Sequence, residues 1–240
     1  STCVFDADGF SVAQAARMPV HLNSMASCLR TLIESYVPLE AWEEGDVILT
    51  NDPYSGGQHL PDVQTFTPVF HNGVRVGIAG ILVHHLDVGG GAPGSYDANA
   101  TEVFQEGICF PPVKIARRGE VNEDLVKVFL RNSREPENVG GDFASQLAAL
   151  KVGARSIQRI AERYGAERLH DACNTIQRQS EELMRAAIAA VPDGRYTFAD
   201  FVDDDGLGSD PIRIHATLDV QGDEALVDLS GSDEQVPGPV

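Results

Sequence analysis

The sequence predicts an α+β fold, mixed and mostly antiparallel, with a long helical hairpin. Three observations carry this. Two β-rich runs, Val63 to Phe70 and Val74 to Val83, are joined by His71-Asn72-Gly73, and an Asn-Gly pair between such runs marks a hairpin. Apolar residues recur in steps of four and three through Phe143, Leu147, Leu150, Ala154, Ile157, Ala161 and Tyr164, on one helical face. Three further β-rich runs close the chain, separated by short turns.

Taken in order, the first residues read as a short strand running into an Asp8-Gly9 turn. A helix follows from Val20 to Tyr36, stopped by Pro38, and then a strand from Asp46 to Thr50. After the hairpin, glycine and proline cluster between Val88 and Pro112, a composition that resists regular structure and commonly builds a loop around a site. A helix is expected over Asn122 to Asn132. The long helix ends at Gly165, and its stripe resumes in Leu169, Cys173, Ile176, Ser180, Leu183 and Ala187. The two helices are therefore expected to fold back on each other in coiled-coil fashion, with a structural role. Asp193-Gly194 breaks the pattern, and Tyr196 to Val202, Ile212 to Val220 and Ala225 to Ser230 form the last strands, turning at Asp205-Gly206 and Gly222-Asp223. This organisation divides the chain into an α+β domain over 1–135, a helical hairpin over 136–192 and the start of a β-rich domain over 193–240.

Composition excludes several functions. A net charge of -18, from 36 acidic against 18 basic residues, argues against a nucleic-acid surface, because phosphate binding needs a concentrated cationic face. The longest apolar run, Val76 to Val83, falls far short of the roughly 20 residues that cross a bilayer. Four cysteines lie far apart with no CxxC pair, so neither a disulfide framework nor a thiolate zinc site is expected, and a reducing cytoplasm fits. The first residues carry no export signal, and the two ends read as those of a piece of a longer polypeptide.

Chemistry concentrates in two segments. Four of the seven histidines, His59, His71, His84 and His85, fall close together, and three of them sit beside carboxylates. In NDPYSGGQHLPD, His59 and Asp62 are three apart and can face one point from a single turn. In HHLDVGGG, His84 and His85 continue a strand and so point to opposite sides, which lets only one of them face a given site. Asp87 shares the side of His85 if extension continues. Imidazole and carboxylate without thiolate suit zinc, manganese or ferrous iron, and two histidines with one carboxylate leave positions open for water and substrate. The alternative is that these residues cap loops or satisfy buried backbone groups. His21, His170 and His215 are isolated and read as surface or hydrogen-bonded histidines. Ser55 and Ser95 lack a base partner, and Glu102 and Glu106, four apart, would share a helical face that is most simply solvated. The absence of a GxxxxGKS/T loop and of GxGxxG after a strand argues that no nucleotide is bound by this segment.

The segments FDADGFSVAQ, PVHLNSM, NDPYSGGQHLPD, HHLDVGG, PGS, TEVFQEG, PPVKI, NVGGDFASQLAALKVGARSI and DLSGSDEQVPGP resemble, in this order, the hydantoinase B/oxoprolinase family. The resemblance spans the whole chain and implies that it is the N-terminal portion of a larger subunit. It implies an ATP-dependent hydrolase of a cyclic amide, cytoplasmic and hetero-oligomeric. A hydantoinase A-like partner would bind ATP and phosphorylate the substrate. By resemblance His59, Asp62 and His84 are the ligands of a divalent metal, zinc or manganese. His85 and Asp87 would then support the ligands and shuttle protons while a metal-activated water attacks the amide carbon. Two other roles are open: an acetone or acetophenone carboxylase-type subunit acting on an activated enol, and a non-catalytic assembly subunit. The adjacent His84-His85 pair favours the hydrolases.

Overall fold

The computed structural model describes residues 1–15, 18–21 and 23–240. They form two compact units, Ser1–Asp97 with Glu106–Cys173, and Ala98–Gln105 with Asn174–Val240.

In the first unit, β1 (Thr2–Phe5), β2 (Ser11–Gln14), β3 (Val47–Thr50), β4 (Asp62–His71), β5 (Val74–His84), β6 (Val113–Arg117) and β7 (Glu120–Val121) make one sheet. Its order is β2-β1-β5-β4-β3-β6-β7, and every neighbouring pair is antiparallel. The expected hairpin is β4–β5, with Asn72 and Gly73 at φ 50 and 80, the left-handed pair that a tight two-residue turn requires. The strands β6 and β7 were not anticipated, because VKIAR is short and follows the proline-rich segment.

The sheet is covered on both faces, and period-two alternation assigns each side chain to one of them. Helix α1 (Ser24–Ser35) presents Met25, Cys28, Leu29 and Leu32 to Cys3, Phe5, Ile48, Phe66, Ile78 and Leu82. Helix α3 (Pro136–Tyr164) packs Leu150, Ile157 and Ala161 on Val69, Val76, Ala79 and Ile81. Between them in sequence, α2 (Glu123–Asn132) is capped by Asn122, whose side chain accepts from the amides of Asp124 and Leu125.

Two expectations need correction here. The first helix does not start at Val20: Pro19–His21 is a 3-10 turn and α1 begins at Ser24, because Asn23 adopts a left-handed conformation (φ 65) that interrupts helical continuity. Leu22 lies outside the described residues. The apolar stripe of α3 is not a coiled-coil seam. It is consumed by the sheet, which offers a broader apolar surface, while Tyr164 at its end is exposed. Helix α4 (Ala166–Ala189) follows after Gly165; Leu169 joins the α3-side core and Cys173 is buried, whereas Ile176 and Leu183 are exposed.

In the second unit β8 (Gly194–Val202), β9 (Ile212–Gln221) and β10 (Glu224–Asp228) form an antiparallel sheet of order β10-β9-β8, as the three β-rich runs predicted. Among the described residues no helix is long and apolar enough to cross a membrane, and the four cysteines are free.

Candidate metal centre

The site is built where β4 begins and β5 ends. Asp62 opposes His84 across the β4–β5 ladder, so the two side chains share a face of the sheet, the one that α1 covers. His59 reaches the same point from a single turn, closed by the Asp62 amide donating to the His59 carbonyl at 3.0 Å. That turn is held from below by Asn51, whose Nδ2 donates to the Leu60 carbonyl (2.7 Å) and the Ile108 carbonyl (2.8 Å) and whose Oδ1 accepts from the Phe110 amide (2.6 Å). Gly56 lets the chain pass close to α1: its φ is 92, and a Cβ there would lie 2.7 Å from the Cys28 Cα.

The three side chains converge. Asp62 Oδ2 lies 3.1 Å from His59 Nε2, Asp62 Oδ1 lies 3.0 Å from His84 Nδ1, and the two imidazole nitrogens are 3.1 Å apart. One ligand atom from each residue falls within 4.8 Å of the others. Tetrahedral bonds of about 2.1 Å put neighbouring ligand atoms roughly 3.4 Å apart, so the donor set and its spacing fit one small divalent ion. Burial disfavours the charged form of Asp62, but hydrogen bonds and charge from His59, then His84 and His21, outweigh it and hold the carboxyl below its usual range. The carboxylate is therefore ionised and ready to act as a ligand.

Two residues that sequence reasoning passed over belong to this cluster. His21 is buried, with Nε2 at 3.4 Å from Asp62 Oδ2 and Nδ1 at 2.9 Å from Ser1 Oγ. Tyr96 stands beside both imidazoles, its ring centroid 5.7 Å from that of His59 and 6.0 Å from that of His84. His21 is far from the other site residues in sequence and only membership of the PVHLNSM segment marked it, while Tyr96 falls in the glycine- and proline-rich segment expected to loop around a site.

His85 and Asp87, expected to support the ligands and shuttle protons, lie outside the cluster and bond elsewhere. His85 follows His84 on the strand and so faces α3, where it is fully buried. Its Nε2 lies 3.1 Å from Gln146 Oε1. Gln146 Nε2 donates to the Val63 carbonyl (2.9 Å) and Thr65 Oγ1 (3.0 Å), which leaves its oxygen to accept from His85. Burial lowers the His85 pKa against the opposing bond from Gln146, so the ring is neutral and serves to join α3 to the sheet. Asp87 is equally occupied. Oδ1 accepts from the amides of Gly89 (2.9 Å) and Arg134 (3.0 Å), and Oδ2 from the Gly94 amide (2.9 Å) and Arg134 Nη1 (3.1 Å). We expect Asp87→Ala to cost about 2–4 kcal/mol in urea unfolding, since it strands a guanidinium and three amides. Metal bound per folded chain should stay at the wild-type level; a folded variant that loses metal would return Asp87 to the site.

The remaining candidates have structural places. Ser55 Oγ donates to Asp52 Oδ2 (2.8 Å), and Ser95 Oγ donates to the Gly89 carbonyl (2.8 Å). Glu102 and Glu106 flank a 3-10 turn, Val103–Gln105, too short to form the α-helical face on which they were expected to pair.

An antiparallel sheet sandwiched between helices, with a buried carboxylate ringed by imidazoles at one strand end, defines the class of protein. The family comparison names it: the description "Hydantoinase B/oxoprolinase" matches residues 1–240, and the chain belongs to that family. A putative D-/L-hydantoinase component from Pseudomonas sp. (strain NS671) is 36% identical over 202 residues, 82% of this chain and 34% of that protein. The crystal structure of an ATP-dependent caprolactamase from Pseudomonas jessenii superposes with a TM-score of 0.91 at 32% identity, covering 99% of this chain and 41% of that one. The acetophenone carboxylase delta subunit of Aromatoleum aromaticum is 29% identical over 238 residues, 98% of this chain and 34% of that protein. The chain thus spans less than half the length of these relatives.

Proposed function

We propose that this chain forms the metal-holding part of an ATP-dependent cyclic amide hydrolase, in which a separate ATP-binding partner phosphorylates the substrate carbonyl oxygen. The convergence of His59, Asp62 and His84 on one point carries the proposal. Relatives named as a putative hydantoinase and as an ATP-dependent caprolactamase support the amide substrate, and the lack of a phosphate-loop motif in this sequence supports ATP binding by a partner.

His59, Asp62 and His84 would hold a zinc or manganese ion, which when bound supplies Lewis acidity and acidifies a coordinated water. Asp62 contributes the charge of the ligand set, and His21 fixes the direction of its carboxylate by contact with Oδ2. With Asp62 at the base and the imidazoles partly open (30% and 43% exposed side chains), the substrate approaches over His59 and His84. In the net reaction, the oxygen of a water would bond to the amide carbon, the ring carbon–nitrogen bond would break with a proton passing to nitrogen, and the phosphate placed on the carbonyl oxygen by the partner would leave as inorganic phosphate, giving the ring-opened acid.

The full-length subunit purified with its partner should open hydantoin, 5-oxoproline or caprolactam in an ATP-dependent reaction, measured as amine release. Bicarbonate-dependent consumption of a ketone, with no amide opened, would replace this reading by the carboxylase one that the acetophenone carboxylase relative represents.

A further inference from the structure

One side chain on the solvent side of the cluster has no part in the ligand set. Tyr96 is 64% exposed, yet its ring meets His59 nearly edge to face (69°) and lies tilted by 32° over His84.

The segment that carries Tyr96 is rigidly built. Ser95, directly before it, is buried in a left-handed conformation (φ 60) that a residue with a Cβ adopts only when its surroundings enforce it. Its hydroxyl accepts from the Val88 amide and donates to the Gly89 carbonyl, both at 2.8 Å. The Arg134 guanidinium, anchored on Asp87, donates to the carbonyls of Ala92 (3.0 Å) and Gly90 (2.6 Å). At Gly89 (φ 98) a Cβ would come within 2.8 Å of the Asn132 carbonyl oxygen. The buried polar network that Asp87 organises therefore spends unfavourable backbone geometry to hold one exposed ring against two imidazoles.

We propose that Tyr96 is a specificity-determining residue. Its ring is the wall on which the flat ring of a cyclic amide lies while the amide group faces His59, Asp62 and His84. This rests on the cyclic amide reading above. Aromatic faces favour offset stacking on planar, polarisable groups, so a planar five-membered hydantoin gains more from this wall than a puckered seven-membered lactam.

The test uses the full-length subunit with its partner, hydantoin and caprolactam as probes, and Tyr96→Ala and Tyr96→Phe. Tyr96→Ala should raise both the Kd of hydantoin, read by saturation-transfer NMR, and its KM by about tenfold. The kcat should change little, caprolactam should be less affected, and bound zinc should match wild type. Tyr96→Phe, which keeps the ring, should behave as wild type. Unchanged hydantoin affinity in Tyr96→Ala, an equal loss in Tyr96→Phe, or loss of zinc would each overturn the proposal. A wild-type complex that binds hydantoin through Tyr96 without opening it overturns the hydrolase reading and leaves this one standing; a complex that binds neither probe overturns both.

Discussion

On the proposed function, Asp62→Ala should abolish binding of a divalent ion by the full-length subunit and lower amide opening by at least about 100-fold. The expectation follows from geometry. Among the described residues, Asp62 is the one carboxylate in the cluster and the one side chain that meets His59, His84 and His21 at once. Removing it deletes the negative ligand and the anchor of three imidazoles. Two imidazoles alone form a weak site for zinc or manganese, because the ion's charge is then left without an anionic partner. Asp62→Asn separates charge from shape: it preserves the volume and should still lose the ion. Elemental analysis of each purified variant, normalised to folded protein by circular dichroism, reads the result. Wild-type metal and activity in Asp62→Ala would establish the assembly role in place of the catalytic one.

The second large effect concerns stability rather than chemistry. Asp46→Ala should lower the unfolding free energy by about 3–5 kcal/mol in urea titration, a substantial share of the roughly 5–15 kcal/mol that holds a typical domain. Asp46 is fully buried. Its carboxylate accepts from Lys114 Nζ, from the Glu43 amide at 2.9 Å and from the Arg118 amide at 3.0 Å. Its carbonyl accepts from Thr67 Oγ1 at 2.8 Å. Truncation leaves the Lys114 ammonium, whose side chain is itself mostly buried, without its counter-charge. Burial works against ionisation of Asp46, but the bonds from Lys114, Glu43 and Arg118 prevail and hold its pKa below the usual carboxylate range. A folded pKa below the unfolded one means the unfolded chain binds the proton more readily. This contribution is therefore complete above the unfolded value near pH 4 and is lost as pH falls through the folded value. The wild-type protein should lose stability over that acidic window, and Asp46→Ala should show a shallower dependence.

Lys114 lies 68 residues beyond Asp46, and no spacing rule connects them. The sequence marked Asp46 only as the start of a strand. The same holds at the candidate metal centre. Turn chemistry and alternation were enough to recognise the β4–β5 hairpin, and alternation also showed that His84 and His85 part company. It could not show which of the two meets Asp62. The ladder decides that, by setting Asp62 opposite His84 and leaving His85 to Gln146 on the other face. His21 was beyond reach for the same reason, and Tyr96 was marked only through its loop: each comes to the cluster from a separate segment, and a lone residue carries no periodic signal.

Local rules acted within a few residues, and there the sequence alone was sufficient: it specified the α+β class, the Asn-Gly turn, the end of α3 at Gly165 and the segments rich in imidazole and carboxylate. What covers an apolar stripe, and which distant side chains share a point in space, depends on sheet order and register. Those were decided only by tertiary structure, because the burial that drives them is non-directional and rewards any partner of the right shape, here the sheet for α3 rather than a second helix.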